Sequence, residues 1–226
     1  MLKFSKKQNA ALPLTKEKMI FKPGKTAFGR YESFALRYGW LTKGFQAFEQ
    51  NSDIFSSPDS IVTLGVGKNM VNSIRHWLRA ARLIEISSDK KEATLLGSKI
   101  FSQDGWDPYL EDEATIWLIH WLMATNPQHA TAWYWFFNRF HKPEFTSKEV
   151  ASALIGFATE QITSKTSITT IKHDAAVLLR MYVQKRNNQK ITLEEALDSP
   201  LSLLNLITYS SSTRAYQSKL TRKDRR

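Results

Sequence analysis

The 226-residue sequence has no cysteine. That excludes a disulfide scaffold, a Cys-ligated zinc or iron–sulfur centre and a thiol nucleophile, and it fits a reducing cytoplasm. Acids are also scarce: 21 Asp plus Glu stand against 32 Lys plus Arg, for a formal net charge of +11 and a sequence pI near 9.8. No stretch approaches the roughly 18 apolar residues of a membrane span. The start, Met1 to Gln8 with Lys3, Lys6 and Lys7, lacks the apolar region and cleavage site of an export signal. A soluble, cytoplasmic protein with no membrane partner is expected. What is present is core material: 42% hydrophobic and 12% aromatic residues rule out wholesale disorder. The surplus of positive charge attracts polyanions, of which nucleic acid is the commonest.

The length accommodates one large or two small domains. Residues 1–27 read as a basic arm, Lys-rich with Pro13, Pro23 and Gly24. The apolar residues from Ser33 to Gln50 suggest a first helix, and Ser56, Ser57 and Pro58 a turn. Val66 to Leu83 is the clearest helical pattern in the first half. At about 100° per residue, Met70, Val71, Ile74, Trp77, Leu78 and Ala81 share one arc. Lys68, Asn72, Arg75, Arg79 and Arg82 share the opposite one, with no acid between them. Leu83–Ile86 and Ala93–Leu96, separated by a polar turn, predict a hairpin. Helix, turn, basic helix and hairpin is the order of a winged helix-turn-helix, expected over residues 28–105, whose basic helix lies in the major groove. The competing reading is a helical domain whose arginines solvate its surface.

Asp107-Pro108 predicts a capped helix start, followed by Glu111, Asp112 and Glu113 at the positive end of the dipole. Further helices are expected over 109–124, 130–140, 146–161 and 168–185, with Thr146 and Glu149 forming a capping box. The fold class is thus mainly α with a small β-hairpin: a winged helix-turn-helix followed by an all-α domain over 106–208 and a basic tail over 209–226.

Gly65-Val66-Gly67-Lys68-Asn69 resembles a phosphate loop, but Val62 and Asn69 stand where a Walker A loop needs Gly and Ser or Thr. A helix N-terminus with Lys68 still suits a DNA phosphate, leaving Asn69, Asn72 and Arg75 to approach base edges. Asp107 and Glu111, at helical spacing, could share a Mg²⁺ or Mn²⁺; capping is the ordinary use of acids there. Glu32, between Arg30 and Arg37, is either a catalytic carboxylate or, preferably, an ion-pair partner. The histidines form no zinc pattern. Trp133–Phe137 could stack bases, although core packing is the commoner use of such a run.

Several words in order resemble a bacterial domain-of-unknown-function family: Phe28–Phe34, Arg37–Leu41, Leu64–Val71, Tyr109–Asp112 and Trp133–Asn138. That family includes SspB-type components of single-strand DNA phosphorothioation systems. The resemblance spans roughly 28–207 and implies a DNA-acting component of a defence pathway that replaces a non-bridging phosphate oxygen with sulfur. It implies nicking of one strand, with ATPase and sulfurtransferase partners; a non-catalytic DNA adaptor recruiting those partners is the alternative. The positions carried over are Glu32, Arg37, Lys68, Asn69, Glu111, Asp112 and Asn138. Arg30 departs from the His expected in many relatives, and the chain is expected to end earlier than they do. The resulting expectations are catalytic roles for Glu32, Glu111 and Asp112, and metal binding by Asp107 and Glu111. DNA contacts are expected from Arg37, Lys68, Asn69, Asn72, Arg75, Arg79 and Arg82.

Overall fold

A computed structural model describes residues 20–184 and 199–219. Most of the expected basic arm and the last residues of the expected tail lie outside the described residues. The described chain is mostly helical, with two small antiparallel sheets.

The first half contains α1 (Trp40–Gln50), α2 (Ser60–Leu64) and α3 (Lys68–Ala80), then strands β1 (Ile84–Ile86) and β2 (Lys91–Ala93), then α4 (Leu95–Phe101). Helix α1 starts later than the apolar pattern from Ser33 suggested. Glu32 and Ser33 have φ of 46° and 70°, a left-handed turn that no helix can pass through. Once started, α1 packs closely on α3: a Cβ on Gly44 would come within 2.3 Å of Ile74 Cγ2. Strands β1 and β2 pair in the register Ile84↔Ala93, Glu85↔Glu92 and Ile86↔Lys91.

The second half holds α5 (Glu113–Ala124), α6 (Thr131–Arg139), β3 (Glu144–Phe145), α7 (Ser147–Gln161) and α8 (Ile168–Tyr182). A 3₁₀ turn (Pro200–Leu204) leads into β4 (Ile207–Ser210) and β5 (Ala215–Ser218). Thr146 and Glu149 form the expected capping box. This half is not all-α, because β3, β5 and β4 make a three-stranded antiparallel sheet. Strands of two to four residues leave little alternation to read in a sequence, and their stability comes from cross-strand rings. Tyr209 lies 4.8 Å from Tyr216, which stacks on Phe145 at 5.9 Å. Part of the stretch read as a tail is therefore structured as β5.

The helix expected from Tyr109 begins instead at Glu113, with Asp112 as its cap, accepting the Ala114 amide at 2.8 Å. Residues 107–111 form a separate turn: Leu110 has φ 60°, and Tyr38 Oη donates to its carbonyl at 2.6 Å. Asp107 caps that turn, accepting the amides of Glu111 at 2.8 Å and Asp112 at 3.1 Å.

One hydrophobic cluster joins the two halves. At its centre Trp77 stacks on Tyr31 at 4.9 Å and meets Trp133 edge-on at 5.2 Å. The segment leading to Tyr31 is strapped across the second half. Gly29 donates its amide to both carboxylate oxygens of Asp174, at 3.0 and 3.2 Å. Its φ of 63° and a Cβ position 2.5 Å from Thr170 Cγ2 leave room for glycine only.

Asp174 is buried, and burial pushes its carboxyl up to about 7 against the lowering influence of hydrogen bonding from Tyr31 and the Gly29 amide. An acid whose folded pKa is raised contributes its full stability below about pH 4 and loses it as the pH climbs to about 7. At about 1.4 kcal/mol per unit the loss is a few kcal/mol. Asp174→Asn has no such charge to bury. Its melting temperature relative to wild type is expected to rise between about pH 4 and pH 7 and to level off above that, measured by thermal scans at matched ionic strength. An offset independent of pH would refute this account of the strap.

Candidate nucleic-acid interface

Helix α3 has the two faces its sequence predicts. Val71, Ile74, Trp77 and Leu78 are buried, and Trp77 Nε1 donates to the Phe34 carbonyl at 3.2 Å. Lys68 and Asn69 are exposed at its first turn. That turn carries no acid, and the Gly67 cap has no side chain to occupy the open amides. Asn72, Arg75 and Arg79 follow on the same side but are only half-exposed, because other parts of the chain rise around them.

Two walls do this. One is the strap from Gly24 to Arg30, held by the Pro23 carbonyl accepting from the Thr163 amide at 3.2 Å. Ala27 N–H also donates to Thr131 Oγ1 at 2.9 Å. The other is the loop between α5 and α6. There Asn126 Nδ2 donates to the carbonyls of Arg79 and Ala80, at 3.3 and 2.9 Å, capping the C-terminal end of α3. Asn126 Oδ1 accepts the His129 amide at 3.2 Å. Strap, helix and loop border a half-open cavity of about 420 Å³. Lys25, Arg30, Arg75 and Arg79 line it together with His76, Gln128 and His129. No carboxylate lines it among the described residues.

The electrostatics record this crowding. Burial, then the charges of His129, Arg79, Arg30 and Arg75, pushes the His76 imidazole down to about 3. Burial and the Arg75 charge also lower Arg79. His76 Nε2 is buried with no hydrogen-bond partner among the described residues.

The remaining sequence-predicted residues are dispersed. Arg82 turns back with φ 55° and donates from its guanidinium to the Thr125 carbonyl at 2.6 Å. Arg37 lies over the rings of Phe34 and Trp40, at 5.8 and 5.3 Å. Glu32 is exposed, and among the described residues no ion pair joins it to Arg37. Glu111 is exposed beside Asp112, the cap of α5. Asn138 donates to the carbonyls of Ala124 and Tyr134, both at 2.8 Å, and so serves helix ends. The aromatic run is core: Trp133, Trp135, Phe136 and Phe137 are buried. His120 is buried too, its Nδ1 2.8 Å from Tyr182 Oη, and burial pushes it down to about 4.

The Asp107 and Glu111 pair does not fit a divalent ion well. Both Asp107 oxygens already accept backbone amides, and the two residues share a turn rather than a helix face. Among the described residues no three His, Asp or Glu side chains cluster in a metal-holding group. Sequence reasoning singled out Arg75 and Arg79 but missed His76, Gln128 and His129. Only the fold brings those residues together, so no local spacing could have flagged them.

The sequence matches the family described as Protein of unknown function (DUF4007) over residues 28–225. No curated protein matches it. Among solved structures it is similar to a crystal structure of SspB, at TM-score 0.75 and 28% identity, and to magnesium ion-bound SspB, at TM-score 0.75 and 26% identity. In each case 87% of this chain is covered and the match spans 61% of the other chain.

The cap at the end of α3 is a testable part of this geometry. Asn126→Ala strips a buried donor from two carbonyls and is expected to cost about 2 kcal/mol in urea unfolding. Lys68→Ala, on the exposed first turn, is expected to stay within about 0.5 kcal/mol of wild type. Equal effects of the two changes would contradict the assignment of Asn126 to the helix end.

Proposed function

The chain belongs to the DUF4007 family of proteins of unknown function, and from that footing we propose that it is the DNA-contacting component of a bacterial DNA phosphorothioation system. The observation that carries the reading is the acid-free cationic side of α3, exposed at Lys68 and Asn69 and continued by Asn72, Arg75 and Arg79. Phosphate contacts from such a row position a duplex, and the amides of Asn69 and Asn72 supply donors and acceptors for base edges. In this reading residues 28–105 act as a winged helix-turn-helix, with α2 and α3 as the helix pair and the β1/β2 hairpin as the wing. Residues 106–208 form the helical part that backs it. Similarity to SspB supports the placement in a sulfur-modification system, whose ATPase and sulfurtransferase are the partners.

The enzymatic form of the proposal is a Mg²⁺- or Mn²⁺-dependent nick in one strand, with Glu32, Glu111 and Asp112 as candidate carboxylates. Similarity to a magnesium ion-bound SspB structure supports the choice of a divalent ion for this form. The adaptor form, in which the chain delivers DNA to its partners, is favoured by one observation: Asp107 and Asp112 both serve as caps to backbone amides.

Incubation of supercoiled plasmid with Mg²⁺ or Mn²⁺ separates the two forms. Open circles that disappear with Glu111→Ala/Asp112→Ala support the nickase, whereas salt-sensitive binding without open circles supports the adaptor. In both forms Arg75→Gln or Lys68→Gln is expected to reduce the slope of log affinity against log salt by about 1, as for one lost phosphate contact. Unchanged slopes and affinities in both variants would remove α3 from the interface.

A further inference from the structure

The cavity between the strap, α3 and the α5–α6 loop is a different environment from the open first turn of α3. Arg30, Arg75 and Arg79 converge on it, yet none makes a side-chain hydrogen bond or ion pair among the described residues. Arg30 is exposed, but Arg75 and Arg79 are half-buried, and half-buried cations are ordinarily paired, because desolvation and mutual repulsion both oppose them. Here the fold holds them together with Asn126 at one end and the Gly29–Asp174 anchor at the other. The partner missing from this arrangement is an anion.

Its chemistry can be narrowed. Guanidinium forks match the oxygens of phosphate and carboxylate groups. The cluster of three is better matched by a terminal phosphate, which carries about −1.5 to −2 at pH 7, than by a single singly charged backbone diester. The volume of about 420 Å³ exceeds the needs of a lone phosphate and falls within the roughly 300–1,000 Å³ of small-ligand pockets. The remaining lining suits a nucleoside: Asn72 and Gln128 offer amide donors and acceptors.

We propose that this cavity is a receptor for a nucleotide phosphomonoester. Arg30, Arg75 and Arg79 grip the terminal phosphate, and Asn72 and Gln128 meet the attached nucleoside. The source is either the phosphorylated end of a DNA strand or a free mononucleotide. The strand-end source rests on the DNA-contacting reading above; the pocket chemistry does not.

Fluorescence anisotropy with a single-stranded oligonucleotide ending in 5′-phosphate, 3′-phosphate or hydroxyl groups tests the strand-end source. Calorimetric titration with dAMP against deoxyadenosine tests the free nucleotide. The expected result is a preference of roughly tenfold or more for a phosphorylated end or for dAMP. Arg30→Gln and Arg79→Gln abolish that preference. Lys68→Gln weakens all three oligonucleotides alike and preserves their ratio. Should Arg79→Gln melt early, Arg30→Gln decides, since Arg30 sits on the exposed strap. Binding of dAMP that depends on Arg30, with no DNA binding at all, would sustain the pocket while removing the DNA-contacting reading. DNA binding that ignores the terminal phosphate, together with no discrimination between dAMP and deoxyadenosine, would overturn the pocket and leave that reading intact.

Discussion

The basic side of this molecule exists because Trp77 is buried on the opposite side. Its ring is enclosed by Tyr31, which directly follows the strap, and Trp133 from α6, and its indole N–H is satisfied by the Phe34 carbonyl. An aromatic side chain of this size dominates the packing around it. With Ile74 and Leu78 buried alongside, α3 has no rotational freedom. The residues half a turn away, Asn72, Arg75 and Arg79, must then face outward whatever their own electrostatic preference. Cations that would scatter on a loosely held helix are kept in line by apolar burial.

The same burial brings the two halves of the chain together and so builds the walls around those cations. Tyr31 reaches Trp77 only because the strap is fixed to α8 through Gly29 and Asp174, and Trp133 only because α6 follows the loop that caps α3. Each wall carries its own positive or polar groups to the cavity: Lys25 and Arg30 on the strap, Gln128 and His129 on the loop. The imidazole of His76 is depressed first by its burial and then by the charges of that assembly. A concentration of like charge that stability alone would disperse points to a ligand of the opposite charge.

Legibility in the sequence followed the range of the interaction concerned. The two faces of α3 and the Thr146–Glu149 box depend on residues within one or two turns, and both are present as read. The start of α5 was misplaced by four residues, because Asp107 has the chemistry of a helix cap but uses it on a turn whose shape depends on Tyr38, far away in the chain. The β3–β5–β4 sheet left almost no periodic trace in strands so short. At the candidate site Lys68, Asn72, Arg75 and Arg79 were legible as a helical stripe. Arg82 was assigned to that stripe as well, yet the backbone turns left-handed there and sends it to Thr125. His76, Gln128 and His129 carried no signal, since what unites them with Arg30 is the strap and the loop, separated by about a hundred residues of chain.

The two cationic environments along α3 differ in how salt reaches them. Lys68 and Asn69 stand in solvent, where charges are screened over a Debye length of about 8 Å at physiological ionic strength. Arg75 and Arg79 are half-buried under the strap and loop, where screening is weaker and a phosphate can be held by direct, geometrically fixed hydrogen bonds. Contacts of the first kind attract any nucleic acid and fade as salt rises. Contacts of the second kind depend on shape and on the charge state of one particular phosphate. In the proposed reading a single helix thus offers a general polyanion surface at its N-terminal turn and a selective anion pocket along the turns that follow. What separates them is not residue type but the depth at which the fold places the same guanidinium chemistry.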